Sequence, residues 1–267
     1  MSRYYRSFLE ESGVAYTART TAFAIATAIT DTTILNALNT FDLGLISNGL
    51  DTKMKAVYPF IGGTSTTHKY NFFDPRDLDV AFRLQFNGGW THSSNGLQGN
   101  GVNTYADTFF KPFNNFTDGN KGGLNVYSRT NSSLVTVDFG ATGDGTGGNF
   151  TLTSNRGAND LTFQTGNIPF ASGTITNTLG LIVGSCINSS DRRVYKNGVK
   201  LGTETTNNPL VGTTRTLYVG ALNYSSLFST VRQYALASVT EGLTDADQTT
   251  LYTLVQAFET SLSRQVW

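Results

Sequence analysis

Apolar and polar positions alternate most cleanly around residues 191–202, DRRVYKNGVKLG, which read as two short strands folded back at Asn197-Gly198. Asn-Gly tolerates the positive φ angles of a type I′ turn, whose twist matches that of the strands it joins. Before this hairpin, Leu179, Leu181 and Val183 alternate with small or polar residues. After it come Leu217, Val219 and Ala221, then Val231, Gln233, Ala235 and Ala237, each with the spacing of a period-two face. At least four consecutive strands are predicted to pack one apolar face around the hairpin. Upstream, in DVAFRLQF, Val80, Phe82, Leu84 and Phe86 point one way while Asp79, Ala81, Arg83 and Gln85 point the other, as in a half-buried antiparallel strand. Further strands are expected at 102–108, 124–129, 134–139, 149–154 and 161–164, with the glycine-rich loop 140–148 and a turn at 155–159 between three of them. Turn signals every ten or so residues favour a sandwich over βαβ units.

Helical periodicity is confined to the ends of the chain. Asp31 can cap a helix whose Ile34, Leu38, Phe41 and Leu45 follow the i, i+4, i+7, i+11 pattern, ending near Asn48-Gly49. A second short helix is expected at about 50–58, stopping before Pro59. Near the C-terminus Thr244 and Asp247 stand at capping-box spacing, and Leu251, Leu254, Val255, Phe258 and Leu262 form a stripe that must cover the sandwich or another subunit. Residues 1–30 lack clean periodicity and read as an arm that orders against a partner. The expected organisation is thus an arm at 1–30, a helical segment at 31–60, a β domain at 61–243 and a closing helix at 244–267.

Composition sharpens this picture. At 267 residues the chain is long enough for one large all-β domain with a real core, and 28 glycines accompany only 14% charged residues. Nineteen basic and nineteen acidic residues balance to zero, leaving no electrostatic footprint for nucleic acid or an anionic membrane. Ala22 to Ile29 is apolar but far short of the roughly 20 residues of a membrane span. Charges at Arg3, Arg6, Glu10, Glu11 and Arg19 interrupt any signal-peptide core, so a soluble protein folded in a reducing cytoplasm is expected. Cys186, the single cysteine, sits in an apolar run and reads as a small buried hydrophobe rather than a reactive thiol.

RRVYKNGVKLG, then TLYVGALN, then VRQYALASVTEGLTDADQTTLY resemble the closing strands of concanavalin A-like, LamG-type jelly rolls, and LQGNGVNTYADT resembles their early strand. The resemblance covers roughly 79–240. It implies a mainly β fold, an antiparallel jelly-roll sandwich with N-terminal helices and a C-terminal helix. The segment 53–108, from KMKAVYPFIGG to NTYADT, resembles a module of structural proteins of tailed and other phages, especially those of Bacteroidetes hosts. That resemblance implies a virion component, a capsid- or tail-attached appendage made in the host cytoplasm. Its partners would be other virion proteins, sister subunits in a homo-oligomer such as a trimer, and a host-surface glycan.

Candidate chemistry is sparse. Glutamates occur only at 10, 11, 204, 241 and 259, with no E-x-D-x-x-E run for an acid and a nucleophile flanking a glycosidic bond, so no enzyme is expected. His68 and His92 have no cysteine or second histidine beside them and read as polar loop residues. Asp74, Asp77 and Asp79 in DPRDLD offer oxygens that a Ca²⁺ ion would accept, and LamG-type domains often hold calcium. Alternatively Asp74 starts a turn at Pro75 and Asp77 or Asp79 pairs with Arg76 or Arg83. Asp144 in GATGDGTGG invites the same calcium reading, and a flexible hairpin tip explains it as well. No other cofactor is implied. For glycan recognition the candidates are Trp90, and Tyr224 beside Asn223, as an aromatic platform flanked by an amide. Trp90 reads equally as a plug at the end of the sandwich, and Tyr224 as the lining of a loop.

Overall fold

In a computed structural model the described residues are 15–116, 118, 121–143, 148–157, 159–167, 169–207, 213–224 and 228–266. Asp144 and residues 1–14 of the expected arm lie outside them. The chain enters through α1 (Ala18–Thr27) and α2 (Thr32–Ser47), then β1 (Met54–Tyr58) and the single turn α3 (Ser65–His68). It continues through β2 (Gln85–Asn87), β3 (Thr91–Ser93), β4 (Gly96–Gln98), β5 (Tyr105–Asp107), the turn α4 (Pro112–Asn115), β6 (Gly122–Ser128), β7 (Phe139–Ala141), β8 (Asn149–Thr153), β9 (Asp160–Gly166) and β10 (Ala171–Thr174). The last third holds β11 (Gly180–Asn188), β12 (Asp191–Lys196), β13 (Val199–Glu204), β14 (Tyr218–Val219), β15 (Ala221–Asn223), β16 (Phe228–Ser229), β17 (Gln233–Thr240) and α5 (Asp245–Ser261).

Two sheets form a sandwich. The first runs β13-β12-β11-β6-β17-β4-β3, with β1 also pairing β17; the second runs β10-β9-β8-β7-β14-β5-β2 and carries β15 and β16. All pairings are antiparallel except β15 with β7. The predicted mainly β sandwich with helices at both ends is what the chain forms. Asn197 (φ 53°) and Gly198 (φ 76°) make the expected turn between β12 and β13.

The central strands of the first sheet, β6, β11 and β17, are buried on both faces. Leu124, Val126, Ile182, Val194, Tyr234 and Val239 meet Phe139, Phe150, Leu152, Leu161, Phe163 and Val219 of the second sheet. On the opposite face Tyr127, Leu181, Val183 and Tyr195 meet Leu38, Phe41 and Leu45 of α2 and Leu251, Val255 and Phe258 of α5. So the C-terminal stripe covers this chain's own sheet. Asp31 caps α2 by accepting from the backbone N–H groups of Thr33 (2.8 Å) and Ile34 (3.3 Å), and Thr244 and Asp247 close the expected capping box on α5. Gly44 lets the two helices approach: a Cβ there would lie 2.4 Å from Leu254 Cδ2.

Several expectations fail for tertiary reasons. Leu181 and Val183 face the helices while Ile182 and Cys186 face the second sheet, because a strand covered on both sides needs no polar face. Leu217, Val219 and Ala221 do not surround the hairpin: Val219 and Ala221 lie in the second sheet, on either side of Gly220 (φ 76°). A register shift between Tyr234 and Leu236 breaks the period of β17, so Ala235 faces the helices and Ala237 the inter-sheet core. The helix expected at about 50–58 is a 3₁₀ turn, Asp51–Lys53, followed by β1, whose pairing with β17 outweighs local preference. The strand expected from Asp79 is also a 3₁₀ turn, Asp79–Ala81, closed by the Phe82 N–H on the Asp79 carbonyl at 3.0 Å, and Val80 is 74% exposed. Regular pairing begins only at Gln85. Similarly, the strand expected at 102–108 shrinks to Tyr105–Asp107, and that at 134–139 begins only at Phe139, with Thr136 in an isolated bridge to Asn155.

Residues 15–30 of the expected arm dock on this chain. Phe23 and Ala24 are buried, Phe23 packs edge-on against Phe72 (5.5 Å between centroids), and Arg19 pairs with the buried Asp42, which also accepts from the Thr17 hydroxyl at 2.6 Å. Strand β1 falls inside the segment 31–60, so that segment is part of the sandwich and its helical cover.

Candidate functional site

Strict alternation along β8 turns Phe150 and Leu152 into the core and Asn149, Thr151 and Thr153 onto the outer face of the second sheet. Beside them Gln164 projects from β9, and the Asn149 amide donates to Gln164 Oε1 at 2.9 Å, fixing both amides. These residues floor a groove of about 400 Å³. Its walls are Val135, Leu222, Phe170 and Phe228, with Arg156 at one side. Val135 and Phe228 are 54% and 48% exposed, a large apolar area left in water at a concave site. The Arg156 guanidinium lies 3.4 Å from the Phe170 ring centroid, held flat by cation–π stacking. Neutral donors and acceptors on a rigid floor between apolar walls suit a ligand with alternating hydroxyl and C–H surface. Among the described residues no Asp or Glu lines the groove.

The residues singled out in the sequence lie elsewhere or act structurally. The half-buried Trp90 donates from Nε1 to the Tyr105 carbonyl (3.2 Å) and packs on the inter-sheet core. A Cβ on Gly220 would meet its Cη2 at 2.4 Å, so this indole plugs the end of the sandwich. Trp90→Ala is therefore expected to cost about 2 kcal/mol of stability, read as a lowered urea midpoint at constant slope. Asn223 spends its amide on the Thr216 carbonyl (2.7 Å). Tyr224 is 49% exposed, with the Arg215 guanidinium 5.8 Å from its ring centroid; it follows β15, which contributes Leu222 to the groove, but does not line the groove itself.

The three aspartates are engaged by cations of the chain. Asp74 takes Arg76 in a two-pronged pair (2.7 and 2.5 Å), and this guanidinium holds the Asp74 carboxyl below its usual range. Asp77 pairs with Lys69 (2.5 Å) and Asp79 with Arg83 (2.7 Å). Among the described residues no three His, Cys, Asp or Glu side chains converge as a cation site. All three carboxylates of DPRDLD are thus engaged in ion pairs within the chain.

No protein family and no curated protein matches this sequence. Solved structures do. A mutant of Trypanosoma rangeli sialidase displaying trans-sialidase activity superposes with a TM-score of 0.56 at 12% identity, over 84% of this chain and 38% of that one. Domain 4 of AbnA, a GH43 extracellular arabinanase from Geobacillus stearothermophilus, in complex with arabinotriose, gives 0.49 at 16% identity, over 75% of this chain and 98% of that one. The receptor-binding domain of botulinum neurotoxin mosaic serotype C/D gives 0.48 at 8% identity, over 76% and 51%. The similarity is one of fold alone. The chain spans little more than a third of the sialidase, and what it shares there is the β-sandwich.

Two further groupings escaped the sequence. His68, at the end of α3, and His92, on β3, bring their Nδ1 atoms to 3.1 Å although 24 residues separate them. They are not loop residues: His68 is buried, its ring against Phe60, and His92 packs edge-on against Phe86. The groove itself left a partial trace, since every outward position of β8 is an amide or hydroxyl where a merely solvated strand would admit Lys or Glu. Its walls, however, come from residues 135, 170, 222 and 228, which only the fold assembles.

Proposed function

We propose that this chain is a non-enzymatic, glycan-binding jelly roll that serves as a structural protein of a phage virion, a capsid- or tail-attached appendage. The observation that carries the binding part is the groove on the second sheet. Its floor of Asn149, Thr151, Thr153 and Gln164 offers hydrogen bonds to hydroxyls, while Phe228, Val135 and Leu222 offer apolar surface to sugar C–H faces. Binding without cleavage is supported by a lining free of carboxylates among the described residues, since glycoside hydrolysis ordinarily needs a pair of them. The virion part rests on the resemblance of residues 53–108 to the phage module. On this reading the particle or sister subunits are met by residues 1–14 and the outer face of α2, where Leu43 and Ile46 are 49% and 46% exposed, and the groove faces the host.

Two measurements test the parts separately. A glycan array probed with the purified chain is expected to give saccharide binding, and Phe228→Ala with Gln164→Ala is expected to weaken it about tenfold or more with an unchanged melting temperature. No binding, or binding indifferent to both substitutions, overturns the groove reading. Mass spectrometry of purified particles is expected to find this chain; its absence overturns the virion reading.

A further inference from the structure

Thr136, Thr142, Asn149, Thr151, Thr153 and Gln164 are uncharged, and the other groove residues are apolar except for one. That exception is Arg156, and among the described residues its guanidinium has no hydrogen bond or ion pair; its backbone N–H alone donates, to the Asp160 carbonyl at 2.9 Å. A guanidinium stacked flat on an aromatic ring keeps its in-plane N–H edge clear, and that edge matches a planar carboxylate in two parallel bonds. Stacking on Phe170 also fixes the fork in advance, so little side-chain entropy remains to be lost on binding. Five other arginines behave differently. Arg76, Arg83, Arg193, Arg232 and Arg264 each meet a carboxylate of this chain.

We propose that the groove selects acidic saccharides, with Arg156 taking the carboxylate of the sugar while the neutral floor binds its hydroxyls. The inference rests on the groove reading and narrows its ligand class to a carboxylated sugar. Because the pairing is charged and partly exposed, it is weakened by salt, whereas contacts to the apolar walls are not.

The test uses matched pairs that differ in one charge, galacturonate against its methyl ester and sialyllactose against its methyl ester, titrated calorimetrically at low and at 0.5 M salt. At least one acid is expected to bind about tenfold or more tightly than its neutral partner at low salt, with the gap narrowing in high salt. Arg156→Gln is expected to bring acid and neutral forms within about twofold of one another, and Arg156→Lys to keep part of the preference. Both variants are expected to melt with the wild type, since the side chain is exposed. Equal affinity for acid and neutral forms, or an acid preference that survives Arg156→Gln, overturns the proposal. Neutral saccharides bound in the groove with no acid preference leave the groove reading intact and sink only this one. Binding of no saccharide at all sinks both.

Discussion

Replacing Arg264 by leucine is expected to lower stability by about 3–5 kcal/mol, the cost of leaving a buried charge without its partner. Arg264 follows α5 and is 1% exposed, and its guanidinium grips Glu259 at 2.8 and 2.9 Å. Its remaining N–H groups reach the carbonyls of Phe60 (2.9 Å), Pro59 (3.2 Å) and Ala235 (3.3 Å). One side chain thus ties the C-terminal helix to the exit of β1 and to the bulge of β17. Glu259 is wholly buried, and that burial raises its carboxyl pKa while Arg264 pulls it down. Without the arginine the carboxylate must take up a proton or stay charged in an apolar setting, and three carbonyls lose their donor. Urea unfolding at neutral pH reads the loss as a shift in midpoint at constant slope. The double variant Arg264→Leu, Glu259→Leu is expected to regain part of it, because no orphaned charge remains. A single-variant loss under about 1 kcal/mol would show that the pair is not what fastens the helix.

Acidification from pH 6.5 towards 4 is expected to erode stability by about 1.4 kcal/mol per pH unit for each histidine kept neutral by the fold. His68 is pushed down to about 3, first by burial, then by the neighbouring His92 and by Arg264. Burial also lowers His92. The unfolded chain takes up these protons near the ordinary imidazole value and the folded chain does not. Fewer protons are bound in the folded state, so stability is complete above about pH 6.5 and declines as pH falls towards the folded value. Carboxylates held down by cations and hydroxyl donors, Asp245 at about 2 by Lys200, the Tyr195 hydroxyl and Arg193 among them, add their losses only below about pH 4. Asp107 and Glu259, raised chiefly by burial, act with the opposite sign, taking up a proton more readily folded than unfolded. His68→Leu isolates the histidine contribution: chemical denaturation across pH 7 to 4 should give a flatter curve for this variant than for the wild type. Parallel curves would mean that His68 charges without resistance and that the pairing at 3.1 Å is incidental.

The sequence by itself determined the elements whose signals are local. Asn197-Gly198 required its turn because both residues must take positive φ, Asp31 and Thr244 marked helix starts because their side chains satisfy free N–H groups, and residues 149–154 were legible as a strand, though not as the floor of a groove. The tertiary structure decided what depends on a second surface. Covering the first sheet with α2 and α5 erased the polar face by which its strands would be recognised, and the bulge in β17 moved Ala235 to the side opposite the one its spacing implied. Val80 left the predicted strand because a 3₁₀ turn and the ion pairs of Asp77 and Asp79 hold that segment outside the sheet. The groove walls, the meeting of His68 with His92, and the anchoring of Arg264 join residues far apart in the chain. Such contacts are set by how layers stack, and no short window of sequence contains that information.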